Sequence, residues 1–290
     1  EGIAYFAAGI IDHDGTYVYA IDANTGALKW QNQSSGHLDP DLRKGVSVQG
    51  NLSIQGADLL LAGGNQVSPA RFNLETGKMS AVTLRNGNPI ANNGRFVGVF
   101  ADTVITGGRI LHSSPRNVSN KNSFDAYAKG KKFRFTLGGI APVWNDEALV
   151  FVNSKYGKLS YVNRQTALAR IEAGYTKDKK RPLRGWMVTL ANSLQLKQEI
   201  DWEVSVGEKF EVLSIAMAKN AVIAVIRRQE MFRSQRQWWV MAFHPKTGRQ
   251  MFQQELKKEP LPEGLLIDRK GRVVVIMMNG TIQSFGKAGG

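Results

Sequence analysis

The chain has no cysteine among its 290 residues. That excludes disulfide frameworks, thiolate catalysis and zinc–thiolate centres together, and leaves the compartment open. Long hydrophobic runs are missing too. The longest, such as Val273–Met278, are strand-sized and far short of the ~18 apolar residues that read as a membrane-spanning helix. Helical periodicity is nearly absent. Acidic residues are scarce beside basic ones, 24 against 38, so the formal charge is +14. Such an excess favours anionic partners, and it also suits a diffusely basic, soluble surface. No GxSxG elbow, phosphate-binding glycine loop or dinucleotide fingerprint occurs, and no carboxylate pair stands out as acid and base. These absences lean away from an enzyme. The chain opens at Glu1-Gly2 and enters a strand-like run at once. The expectation is the C-terminal portion of a longer protein with further domains.

What is present is β-structure. Short apolar, β-branched runs recur between Gly, Asn, Asp and Lys punctuation: Ile3–Ala8, Leu59–Ala62, Val97–Thr106 (broken at Asp102), Ala148–Val152, Ala221–Ile226 and Arg272–Met278. Most do not alternate polar with apolar, as expected of strands buried on both faces between packed sheets. The fold class predicted is all-β.

Repetition sharpens this. The best-written unit is Ala20-x-Asp22-x-x-Thr25-Gly26-x-x-x-Trp30. Echoes follow at Phe72, Asn73, Thr76 and Gly77, at Lys129-Gly130, at Asn163, Thr166 and Ala167, and at Ala242, His244, Thr247, Gly248 and Phe252. Three of the four intervals suit one four-stranded antiparallel blade, while the last is about twice as long and holds 173–199, an inserted or irregular segment. A β-propeller is the architecture expected over 1–290 as a single domain. It would hold about six blades, the first and last incomplete, in a ring of roughly seven or eight. Each turn has its own physics. Gly26, Gly77 and Gly248 supply a positive φ without steric cost. Asp22, Asn73 and Thr25 can hydrogen-bond the turn's own amides. An aromatic four residues later, Trp30 or Phe252, can fill the widening space between blades.

The stretch AIDANTGALKW, Ala20–Trp30, resembles the tryptophan-docking repeat of the pyrroloquinoline-quinone-type propellers. That superfamily includes quinoprotein alcohol dehydrogenases and the outer-membrane assembly lipoprotein of Gram-negative bacteria. Ile3–Gly50 and Gly264–Gly286 more narrowly resemble the quinone-binding-like propeller repeats of large planctomycete-type bacterial proteins. The resemblance implies a periplasmic or extracellular setting. It also raises an alternative function, a quinoprotein oxidoreductase using pyrroloquinoline quinone and calcium. The dehydrogenases close a vicinal disulfide over that cofactor, and a chain without cysteine has none to close.

Loop lengths suggest where binding belongs. Asn24–Gly26, Gln55–Asp58, Asn145–Glu147 and Arg269–Gly271 are tight, whereas Gly9–Thr16, Gln33–Gly45, Gly64–Ala70, Gly107–Asn122 and Arg227–Gln237 are long. In a propeller these classes lie on opposite faces, and the elaborated face is the binding candidate. It carries His13, His37, Arg109, His112, Arg116, Arg228 and Arg233, whose guanidinium groups suit a carboxylate, sulfate or phosphate. Asp12, Asp14 and Asp39 are weaker candidates for calcium, since turn-forming aspartates explain them more simply. The basic run Lys177–Arg184 reads as a solvated insertion, which disfavours nucleic acid as partner. Trp238 and Trp239 read as packing between blades. The function expected is a non-enzymatic binding or scaffold module for a protein, an anionic glycan or a small anionic ligand, with no membrane-spanning segment.

Overall fold

A computed structural model of the protein describes residues 2–9, 16–37, 45–48, 50–63, 69–80, 84–85, 88–89, 96–101, 103–107, 123–128, 131–136, 142–153, 158–169, 200–206, 210–228 and 236–286. Neighbouring strands pair antiparallel in chain order, so each connection is local and no crossover is needed. The chain divides into two compact units, Glu1–Arg134 and Phe135–Gly290.

In the first unit β1 (Ile3–Ala8), β2 (Tyr17–Asp22) and β3 (Leu28–Asn32) form one sheet. A second contains β4 (Leu52–Gln55), β5 (Asp58–Leu61) and β6 (Ala70–Asn73). A short hairpin of β7 (Leu84–Arg85) and β8 (Asn88–Pro89) precedes a sheet of β9 (Phe96–Phe100), β10 (Thr103–Gly107), β11 (Ser123–Ala128) and β12 (Lys131–Thr136). Side chains alternate across a strand. Leu59 and Leu61 of β5 therefore join Val18, Ala20, Trp30 and Phe72 in one core, while Leu60 joins Val97 and Val104 in another. A run without polar alternation is thus a strand with a core on each side.

The second unit repeats the logic. Its sheets are β13 (Val143–Trp144), β14 (Ala148–Asn153), β15 (Lys158–Asn163) and β16 (Trp202–Ser205); then β17 (Phe210–Ala218), β18 (Ala221–Arg228), β19 (Trp238–Phe243) and β20 (Gln250–Leu256); then β21 (Pro260–Ile267), β22 (Val273–Met277) and β23 (Ile282–Phe285). Val222, Ala224 and Ile226 of β18 pack with Val150, Val152 and Leu159, whereas Ile223 and Val225 pack with Val275 and Met277. The adjacent tryptophans divide in the same way. Trp239 meets Phe210 edge-on at 5.4 Å in the first cluster, and Trp238 lies against the second. Outer strands behave differently: β20 is exposed from Gln250 to Glu255. Burial on both faces belongs to the inner strands.

The turns follow their residues. Asp22 Oδ1 accepts the backbone N–H groups of Asn24 and Thr25, each at 3.0 Å, and Gly26 follows at φ +73°. Asn73 Oδ1 does the same for Glu75 and Thr76, at 3.1 and 2.9 Å, ahead of Gly77. His244 Nδ1 accepts from the Lys246 amide at 3.3 Å ahead of Gly248. Phe252 is exposed and meets Phe285 edge-on at 6.3 Å. The echo at Thr166-Ala167 is different. There 164–169 is a short helix, begun by Asn163 Oδ1 accepting the Gln165 amide at 2.8 Å. With Ala167 where the other turns have glycine, and Asn163 in a capping position, helix replaces the hairpin turn. The segment 173–199 lies outside the described residues.

Asp268 shows how such turns respond to acid. Its Oδ1 accepts the Lys270 and Arg272 amides at 2.8 Å, and its Oδ2 accepts Arg272 Nε at 2.6 Å. The backbone bond from Arg272, followed by its side chain, holds the carboxyl below its ordinary 3.8. A carboxyl depressed in the folded state stabilises it above the unfolded value and loses that contribution as pH falls through the folded value. Asp268→Asn should therefore lower the melting temperature most at neutral pH, with the gap closing below pH 3.8. Thermal melts at about pH 6 and about pH 2 would test this, and an equal gap at both would refute it.

Candidate functional site

Two kinds of arrangement gather the chemistry-bearing side chains. The first is structural. Trp30 on β3 lays its indole over Gly77, in the turn after β6, and its Nε1 donates to the Leu74 carbonyl at 2.8 Å. Asn32 Nδ2 donates to the Gly77 carbonyl at 2.9 Å beside it. A Cβ on Gly77 would sit 2.3 Å from Trp30 Cε3, so only glycine fits beneath the ring. Trp202 on β16 repeats the contact in the second unit. Its Nε1 donates to the Pro245 carbonyl at 2.6 Å, and a Cβ on Gly248 would lie 2.9 Å from the indole. Reading the sequence singled out Trp30 and missed Trp202. The signal was spacing: Trp30 precedes its acceptor by 44 residues and Trp202 precedes its own by 43.

The second arrangement is a pocket of about 650 Å³ beside that second indole. It is lined by the tight turn at Asp146 and Glu147, by Tyr161, by Asn163, Arg164, Gln165 and Leu168, and by Asp201 and Lys246. The turn is set by Asn145 Oδ1, which accepts the Glu147 and Ala148 amides at 2.8 and 2.9 Å. Arg164 is fixed by its Nη1, which donates to the Asn145 carbonyl at 3.1 Å and to Asp146 Oδ1 at 3.3 Å. Asp201 Oδ2 accepts the Asn163 amide at 2.5 Å. Tyr161 is buried and stacks on Trp202 with ring centroids 5.1 Å apart. Burial raises its phenol above the usual 10.0, and the charges of Glu147 and Asp201 add to the effect. Such a pocket suits binding through polar contacts. It lies among tight turns, where the sequence suggested no site.

The residues expected to bind a ligand fare unevenly. His13, Arg109, His112, Arg116 and Arg233 lie outside the described residues, as do Asp12, Asp14, Asp39 and the run Lys177–Arg184. His37 ends a single 3₁₀ turn, Ser35–His37. Arg228 ends β18, where its Nη1 donates to Gln237 Oε1 at 3.3 Å and its amide to the Gln237 carbonyl at 3.0 Å. Its neighbour Arg227 pairs with Glu211, and Arg236 with Glu259 at 3.7 Å. Among the described residues no three His, Asp or Glu side chains converge as a cation site.

The sequence matches, over residues 2–168, the protein family described as outer membrane protein assembly factor BamB. No curated protein matches the chain. Among solved structures it is similar to BamB from Moraxella catarrhalis, with 14% identity, 99% of this chain and 74% of that one covered, and a TM-score of 0.45. It is similar to a chain of a mitotic checkpoint complex at 9% identity, with 98% and 74% covered and a TM-score of 0.53. A quinohemoprotein alcohol dehydrogenase from Pseudomonas putida gives 12% identity, 97% and 57% covered, and a TM-score of 0.45. No helix among the described residues is long and apolar enough to cross a membrane. With a match across more than half its length, the chain belongs to the family of outer membrane protein assembly factor BamB, whose fold is a β-propeller of pyrroloquinoline-quinone-like repeats.

Proposed function

We propose that the chain is a non-enzymatic propeller module of an exported protein, holding a protein partner in the periplasm or outside the cell. The observation that carries this reading is what the repeat's own side chains do. Trp30 and Gly77, and Trp202 and Gly248, fasten one sheet to the next turn, and Asp22, Asn73 and His244 close turns. The best-written residues of the sequence are thereby engaged in the scaffold, and the connecting segments remain for partners. An assembly factor acts by contact with other proteins, which agrees with a scaffold. The domain reading belongs to the same proposal: 1–290 as one propeller within a longer protein, with 173–199 inserted.

The contact surface proposed is the long-loop face with His13, His37, Arg109, His112, Arg116, Arg228 and Arg233, engaging acidic groups of the partner. Reversing Arg109 and Arg228 together to glutamate should weaken binding to acidic peptides by about tenfold, roughly 1.4 kcal/mol. Calorimetry against acidic peptides and sulfated glycans measures it. Unchanged affinity across both sets would sink the anionic reading of this face.

A further inference from the structure

We infer that the pocket floored by Tyr161 receives one basic group, the guanidinium or ammonium of an arginine or lysine side chain from a partner protein. This goes beyond the long-loop reading and does not depend on it.

The floor is the strongest observation. Tyr161 is only 7% exposed, yet its hydroxyl makes no hydrogen bond to another described residue and is not among the sealed, unsatisfied polar atoms. Tyr161 lines the pocket, so this almost buried phenol leaves an unused acceptor beside whatever enters. The lining fixes the sign. Its carboxylates, Asp146, Glu147 and Asp201, face two cations, Arg164 and Lys246, and the charges of Glu147 and Asp201 add to the burial that raises the phenol. Of the two lining cations, Arg164 is already engaged, since it bonds both Asp146 and the Asn145 carbonyl. Asp201 is anchored by the Asn163 amide. Glu147 has no side-chain partner among the described residues and is the carboxylate left to pair. Leu168 adds an apolar wall for the methylene stem of a long basic side chain.

Lys246, also in the pocket lining, makes no side-chain hydrogen bond or ion pair among the described residues. It is the intramolecular competitor for the same carboxylates. The geometry therefore has an internal control: removing Glu147 and removing Lys246 should change binding in opposite directions.

The whole chain would be titrated with butylguanidinium, and with butylurea as its neutral counterpart. Nitrogen-resolved NMR would follow the Trp202 indole N–H and the Asn163 amide. The expected result is saturable shifts with butylguanidinium and none with butylurea. Glu147→Gln should weaken binding about threefold or more, and Lys246→Gln should tighten it by a similar factor. Both side chains are exposed, so both variants should fold. Tyr161→Phe keeps the stacked ring and should weaken binding as well. A blocked Gly-Arg-Gly peptide should compete with butylguanidinium more strongly than spermidine does. Equal shifts from butylurea, wild-type affinity in Glu147→Gln, or preference for spermidine over the peptide would each overturn the assignment. The Arg109 and Arg228 reversals should leave this titration unchanged, so the two readings fail separately.

Discussion

Gly77→Ala should destabilise the protein by about 2–5 kcal/mol, far more than the same change at Gly26. Both glycines hold a positive φ, +67° and +73°, where an L side chain costs about 1–2 kcal/mol. Their surroundings differ. Nothing lies within 4 Å of a Cβ built on Gly26, whereas one on Gly77 would stand 2.3, 2.6 and 2.9 Å from three atoms of the Trp30 indole. Forcing an extra carbon into a packed contact adds about 1–3 kcal/mol. The indole cannot simply withdraw. Its N–H is held by the Leu74 carbonyl, and the Tyr5 ring stands 5.9 Å away on the same core. Trp30→Ala alone should cost about 3–5 kcal/mol through lost burial and the cavity left behind. Combined, the two changes should cost less than their sum by about the overpacking component, because the alanine at 77 then meets no ring. Urea denaturation followed by circular dichroism would measure all four proteins. Equal losses at Gly26 and Gly77 would show that backbone strain, and not the indole, sets the requirement for glycine.

Features that local chemistry dictates were legible in the sequence. Asp22, Thr25 and Gly26 specify their turn by themselves, and so do Asn73, Thr76 and Gly77. The unbroken apolar runs at Leu59–Leu61 and Val222–Ile226 announced strands with a core on both sides. Where meaning depends on a distant partner, the sequence was silent. Thr166 looked like a turn because threonine stands at the same offset elsewhere, but Asn163 caps a helix there. Trp202 was hidden because 164–201 separates it from β15, the strand it pairs with. The pocket draws on 146–147, 161, 163–165, 168, 201 and 246, so no window of the chain contains it. The histidines and arginines of the long loops were found by loop length and charge, signals that say which residues are available and not where each side chain goes.

Trp202→Ala should cost about 3–5 kcal/mol, and Trp202→Phe about 1–3, because the indole makes two separable contributions. One is burial against Gly248, where a Cβ would stand 2.9 Å from Cδ2 and Cε3 of the indole. The other is the hydrogen bond from Nε1 to the Pro245 carbonyl at 2.6 Å. Phenylalanine keeps most of the ring and leaves that carbonyl without its donor, which isolates the second contribution. The stack of Tyr161 on Trp202 then links stability to the pocket. Without the indole, the phenol ring loses the stack that fixes its place in the pocket lining. Trp202→Ala should therefore weaken butylguanidinium binding even at a denaturant-free temperature where the protein remains folded, while Trp30→Ala should not. Denaturation curves give the stability difference, and the NMR titration, read at the Asn163 amide, gives the binding difference. Equal costs for Phe and Ala would place the contact's worth in the hydrogen bond alone. Unaltered binding in a folded Trp202→Ala protein would separate the pocket from the repeat, and the indole would then be a fastener between sheets with no part in recognition.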